Sequence, residues 1–168
     1  MSSFKNGWYV IYTRPRHEKK VAGKLAETGI NIFLPTRKQI RIWNDRKKCI
    51  EEPLFPSYVF VYLDGLQSYY AALGLEGVLY YVKTGKEVAR VSESIVNDIR
   101  LITDQAKDLE VTDDYFQPGQ KLVISQGALT GLNCEIVQSN GKQRVLVRVD
   151  LLQRNILLTL STEHLAVV

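Results

Sequence analysis

Histidine, cysteine and methionine are scarce in this 168-residue chain, which has two, two and one of them. Cys49 and Cys134 lie far apart, outside any Cys-x-x-Cys pair, with only His17 and His164 as companions. Neither a zinc site nor a disulfide framework is indicated, and both cysteines read as buried or half-buried apolar side chains. The same shortage leaves no nucleophile, base or metal cluster in the sequence, so no catalytic residue, metal or cofactor is assigned. No apolar run approaches the ~18 residues of a membrane span. The start, Met1-Ser2-Ser3-Phe4-Lys5-Asn6, lacks an apolar signal core. The expectation is a cytoplasmic monomer with no membrane partner.

What is present is ordinary in amount and uneven in placement. Hydrophobic residues make up 45% and charged residues 24%, enough to bury a core. Between Arg14 and Lys48 there are 11 Lys and Arg against 3 Asp and Glu, which points to nucleic acid or an acidic protein surface as a partner of this first part.

The run Trp8-Tyr9-Val10-Ile11-Tyr12-Thr13 is β-branched and aromatic and suits an interior strand. Over residues 15–28 the spacing of Val21, Ala22, Leu25 and Ala26 makes an apolar helical stripe, with Pro15 and Glu18 in the first turn and Gly29 as a left-handed cap. Residues 30–35 return as a strand. Residues 36–43 then face 47–51 as a hairpin turning at Asn44-Asp45-Arg46. A strand from Ser57, a short helix closed by Gly74 and a strand over 79–83 follow. Ser92 caps a third helix whose apolar positions are Ile95, Ile99, Ile102, Ala106 and Leu109. This order is an α+β sandwich, with three helices on a mostly antiparallel sheet. Residues 111–117 lose helical periodicity and read as a linker between a domain over 1–110 and a smaller one over 118–168. The smaller domain has five β-rich runs (121–125, 132–139, 142–150, 155–161 and 164–167) and a hairpin turn at Asn140-Gly141, which suits a small barrel.

The stretch Pro53-Leu54-Phe55-Pro56-Ser57-Tyr58-Val59-Phe60-Val61 forbids helix at its prolines and then alternates large side chains onto both faces of a strand, so one face is core and the other needs cover. This Pro-Leu-Phe-Pro-x-Tyr-x-Phe-Val pattern resembles the signature of the N-terminal domain of the NusG family of transcription elongation factors. Residues 119–137, a strand, a turn with Gly127 and Gly131, and a second strand, look like a KOW motif. Alone the KOW segment fits a ribosome- or RNA-binding protein equally well. The two motifs in this order cover nearly the whole chain and are similar to the specialised RfaH/UpxY-type antiterminators of capsular polysaccharide loci.

That resemblance implies a non-enzymatic factor that suppresses pausing and premature termination at particular long operons, with a general NusG acting at all genes as the alternative. It implies docking on the β′ clamp helices of RNA polymerase through Tyr12, Phe55, Tyr58, Phe60 and Tyr81, each of which core packing explains as well. It implies contact with the β gate loop at Ser68-Tyr69-Tyr70, where the specialised members carry His-Thr-Thr. Arg14, Arg16, His17, Lys20 and Lys24 stand where such members read the exposed non-template DNA strand, although a solvated helix face would carry the same charge. A ribosomal protein or a termination factor is the implied partner of the KOW barrel. Trp43 beside Arg46, Lys47 and Lys48 at the hairpin tip fits nucleic acid, polymerase or a plain surface turn.

Overall fold

The aromatic and β-branched run after Asn6 forms β1 (Gly7–Thr13), the central strand of an antiparallel sheet. In the computed structural model, which describes residues 4–106, 108–159 and 165–167, the chain divides into two compact units, residues 1–93 and 94–168. The sheet of the first unit runs in the order β2 (Asn31–Phe33), β5 (Tyr58–Leu63), β1, β6 (Val78–Tyr81), and β9 (Arg90–Val91) also pairs with β1. Tyr9, Ile11, Val59, Val61, Leu63 and Tyr81 alternate onto one face. There they pack with Val21, Ala22 and Leu25 of α1 (Glu18–Glu27) and Ala72 of α2 (Leu66–Leu73). Each fully buried valine, leucine or isoleucine side chain in that layer contributes about 1.5–3 kcal/mol.

Helix α1 starts later than residue 15. Arg16 has φ 65, in the left-handed region that interrupts a right-handed helix, so Pro15 and Arg16 form a turn and Glu18 is the first helical residue. Its end follows the expected cap: Gly29 has φ 85, and the Ile30 N–H donates to the Leu25 carbonyl at 3.1 Å, closing the last turn. Strands β3 (Thr36–Trp43) and β4 (Arg46–Pro53) pair only with each other among the described residues. Asn44 and Asp45, at φ 47 and 62, make the two-residue turn between them, with Trp43 opposite Arg46. A smaller ribbon joins β7 (Lys83–Thr84) to β8 (Glu87–Val88).

Helix α3 (Glu93–Gln105), which from Ser94 onward belongs to the second unit, buries Val96, Asp98, Ile99 and Ile102. Its apolar stripe predicts helix as far as Leu109, but Leu109–Thr112 is instead a strand, β10, paired with β14 (Arg154–Leu158). Leu109 and Val111 stand opposite Leu158 and Ile156 there, and the β-branched Val111 and Thr112 suit the pleat better than another helical turn. The barrel sheet therefore has six strands instead of five: β10, β14, β13 (Lys142–Val149), β12 (Asn133–Ser139), β11 (Gln120–Ile124) and β15 (Leu165–Val167), every pairing antiparallel. A 3-10 turn, Asp150–Leu152, connects β13 to β14. The expected runs over 155–161 and 164–167 include Leu160, Ser161 and His164, which lie outside the described residues.

Two of the residues expected to link the domains are thus in β10, and the rest of that stretch is tied down. The Phe116 ring packs on Val137, Leu146 and Leu157. The Arg148 guanidinium donates to the carbonyls of Phe116 (2.9 Å) and Gln117 (3.2 Å) and to Glu135 (2.6 Å), and Glu135 accepts from the Gly119 N–H at 3.0 Å. The Asn155 amide donates to the Asp114 carbonyl at 3.0 Å. Among the described residues no helix is long and apolar enough to cross a membrane.

Candidate functional site

One end of the first unit's sheet gathers most of the expected contact residues. The Thr13 N–H donates to the Ser57 carbonyl (2.8 Å) and the Arg14 N–H to the Gly77 carbonyl (2.9 Å), so the end of β1 is bonded to the starts of both neighbouring strands. The register places Tyr12 opposite Tyr58 on one side and Tyr80 on the other. The three rings form a row, with centroids 5.4 Å apart for Tyr12 and Tyr58 and 4.9 Å, stacked, for Tyr12 and Tyr80. Tyr12 and Tyr58 are half-buried and Tyr80 is 52% exposed. A shallow depression of about 370 Å³ opens beside them, lined by Tyr58, Tyr80, Tyr81, Val82 and Lys83. Such a row offers a large apolar area at small side-chain entropy cost, which suits an anchor for a protein partner.

The rings of three of the expected docking residues do not join the tyrosine row. Phe60 is fully buried between Phe33 and Phe55, and Phe55 is buried as well. Tyr81 is buried on the opposite face, because neighbours on a strand alternate. Its ring stacks on Tyr69 at 4.4 Å and its hydroxyl donates to the Tyr69 carbonyl at 2.8 Å. Burial pushes the Tyr81 phenol pKa upward, and nearby Tyr69 and Tyr9 add to that rise. Tyr80, which the sequence reading missed, takes the outward place. Its signal is the cross-strand pairing with Tyr12, which becomes visible only once the register is known.

At α2, the three expected gate-contact residues separate by role. The Ser68 hydroxyl is within donating reach of the Gly65 carbonyl (2.9 Å) and the Asp64 carboxylate (3.1 Å), bonds that tie down the helix start. Tyr69 packs on Tyr81 and against the core, while Tyr70 stands edge-on to Tyr69 and exposed. Of the three, Tyr70 is the ring available to a partner.

The basic segment lies beside the tyrosine row. Arg14, Arg16 and Lys20 are exposed, and His17 is half-buried with Nδ1 3.0 Å from the Pro15 carbonyl. Lys20 and Lys24 are one helical turn apart, but Lys24 is drawn to Glu76 at 4.0 Å. Lys19 is turned away, its Nζ donating to the Glu51 carbonyl at 2.6 Å. Glu18, in the same stretch of sequence, is buried, and its Oε1 accepts from the backbone N–H groups of Arg16 and Ser57, both at 3.1 Å. The structure therefore groups Tyr12, Tyr58, Arg14, Arg16 and Lys20 around one sheet end and places Phe55, Phe60 and Tyr81 in the core.

On the β3–β4 ribbon, Trp43 is 71% exposed and pairs with Arg46, while Arg41 pairs with Lys48 on the same face and forms an ion pair with Glu52. Ile40, Ile42 and Cys49 share the other face and are exposed, so Cys49 is not the covered residue expected. Cys134 is buried, and burial together with Asp98 and Glu135 pushes its thiol up to about 12, where it stays protonated and inert at neutral pH. Among the described residues no group of three or more His, Cys, Asp or Glu is placed to hold a metal ion.

Residues 6–100 match the family described as transcription termination factor nusG. A transcription termination/antitermination protein NusG of Lactococcus lactis is 25% identical over 163 residues, covering 90% of this chain and 88% of its own length. The protein of the same description from Streptococcus pyogenes serotype M3 is 22% identical over 161 residues, covering 89% and 90%. A solved structure described as domain interaction in Thermotoga maritima NusG is similar in fold, with a TM-score of 0.56 and 21% identity over 96% of each chain.

Proposed function

Since the chain belongs to the NusG family of transcription factors, we propose that its first unit docks on RNA polymerase through the Tyr12–Tyr58–Tyr80 row while the basic loop beside that row takes the exposed non-template DNA strand. The observation that carries this reading is the row itself: three stacked or tilted tyrosines on adjacent strands, two half-buried and one exposed, continuous with Arg14 and Arg16. The β′ clamp helices are the proposed occupant of the row, and the β gate loop the occupant of the surface around Tyr70. Aromatic rings over a shallow depression take up apolar side chains of a helix pair, and the phenol hydroxyls keep the rim wet.

Binding energy is the whole of the proposed mechanism. A factor that fits the closed clamp better than the open one shifts the enzyme toward its processive state by its differential affinity and by nothing else. That shift suppresses pausing and early termination. Arg14, Arg16 and Lys20 add phosphate contacts by releasing counterions, and contact with unpaired bases makes the factor selective for particular long operons such as capsular polysaccharide loci. The work divides along the chain, with the first unit docking and the KOW barrel, to which β10 and the stretch through Gly119 are tied, recruiting a ribosomal protein or a termination factor. The factor acts as a cytoplasmic monomer.

The test is retention of core RNA polymerase on the immobilised protein. Tyr58→Asp and Tyr80→Asp, each placing a charge in the row, are expected to abolish retention with the barrel still folded by its amide spectrum. Retention at wild-type affinity by the folded variants removes the row as the docking surface. Genome-wide occupancy then separates an operon-specific factor from one acting at all genes.

A further inference from the structure

Among the described residues of the first unit, Glu18 is the buried acid, 6% exposed. Its two donors come from different loops. Arg16 belongs to the basic loop after β1, and Ser57 to the turn between the second signature proline, Pro56, and Tyr58. Both donor residues have left-handed φ angles, 65 for Arg16 and 72 for Ser57, in a region that arginine and serine rarely adopt. Conformations of this kind persist only where surrounding contacts over-determine them. One carboxylate oxygen supplies that constraint for both. It does so from the first turn of α1, where the helix dipole favours negative charge and bonds to an ionised acceptor are roughly twice as strong as neutral ones.

We infer that Glu18 is a positioning residue that fixes the spacing between the cationic loop and the tyrosine row, so that polymerase and the exposed DNA strand are engaged together. This inference rests on the function proposed above. Binding either partner alone needs one loop in place, whereas binding both needs the two loops in register. The Thr13–Ser57 backbone bond still joins β1 to the signature turn, but release of the Arg16 and Ser57 N–H groups removes the acceptor that the two left-handed residues share and lets their backbones relax. The loss then falls on the coupling between the two contacts more than on either contact.

The experiment uses the full-length chain and two elongation complexes, one with a single-stranded non-template strand across the bubble and one with that strand removed. The ratio of the two affinities measures the coupling. Glu18→Ala is expected to lower the ratio about tenfold while changing affinity for the strandless complex less than about threefold. Glu18→Gln, whose amide oxygen can accept both bonds, is expected to restore most of the ratio. Glu18→Asp keeps the charge at the helix start and withdraws its reach, so it reports on coupling should the alanine variant fail to fold. Equal losses on both complexes, an unchanged ratio in the alanine and aspartate variants, or no rescue by glutamine overturns the inference. Failure of the wild-type chain to bind either complex overturns the proposed function instead.

Discussion

Tyr80 and Tyr81 are adjacent in sequence, and opposite consequences are expected of the same substitution at each. Tyr81 is 2% exposed, stacked on Tyr69 and bonded through its hydroxyl to the Tyr69 carbonyl, so Tyr81→Ala should destabilise the first unit by about 3–5 kcal/mol, as large aromatic truncations in cores do. Tyr81→Phe keeps the stack and loses one hydrogen bond, worth about 1 kcal/mol. Tyr80 is half in solvent and contributes its stack on Tyr12, so Tyr80→Ala should cost only about 0.5–1.5 kcal/mol of folding stability. As an interface anchor worth about 2 kcal/mol, Tyr80 should nonetheless weaken polymerase binding roughly 30-fold when truncated. Urea unfolding followed by tryptophan fluorescence reads the stability, because both tryptophans, Trp8 and Trp43, lie in the first unit. Polymerase affinity is measured below the unfolding transition, where every variant is folded. Equal destabilisation by the two alanines, or wild-type affinity in Tyr80→Ala, refutes the assignment of the two faces.

Three further outcomes are expected. A Cβ on Gly119 would lie 2.0 Å from the Ile136 carbonyl oxygen, so Gly119→Ala must shift the β11–β12 pairing and should cost about 2–4 kcal/mol; Gly131→Ala, at φ 92 in open space, should cost only about 1–2 kcal/mol, and hydrogen exchange of the barrel amides ranks the two. Burial raises the pKa of Asp98 above its ordinary 3.8, against the opposing bonds from Asn133. The folded state therefore holds a proton that the unfolded state has released, and the group's stabilising contribution, complete below 3.8, is lost as pH rises through the raised value. Asp98→Asn should flatten that slope in pH-dependent denaturation, and a slope unchanged by the substitution would contradict the assignment. Arg14→Ala with Arg16→Ala should make the plot of log affinity against log salt for single-stranded DNA shallower by about 1.4, at ~0.7 per phosphate contact; an unchanged slope would mean that neither side chain touches phosphate.

The sequence showed which segments would pair and pack, but not which way some of them would face. The Gly29 cap, the turns at Asn44-Asp45 and Asn140-Gly141 and the α1 stripe at Val21, Ala22 and Leu25 follow from local chemistry, and the structure has them; Ala26, expected on that stripe, lies at its margin and is exposed. Val145, Val147, Ile156 and Leu158 are buried, as period-two strands require, yet so are Leu146 and Leu157 between them, because Phe116 covers the second face. The choice between Tyr80 and Tyr81 was not legible: β6 has only four residues and its register against β1 shifts between Tyr12 and Thr13. Leu109 continued a helical spacing that a strand satisfies equally well. Glu18 read as an ordinary first-turn acid because one of its donors, Ser57, lies 39 residues away.

The strap of residues 114–119 also bears on how such a chain could be recombined. A crossover at residue 117 or 118, where charge and periodicity suggest a seam, would strip Phe116 from its seat on Val137, Leu146 and Leu157 and leave β14 without its β10 neighbour. A graft so cut carries a bare apolar patch and an open strand edge, the two features that drive misassembly. A crossover ahead of α3, whose Asp98 accepts from the Asn133 N–H of the barrel, moves helix, edge strand, strap and barrel as one heritable module, and exchanges of the barrel between relatives should have their breakpoints there.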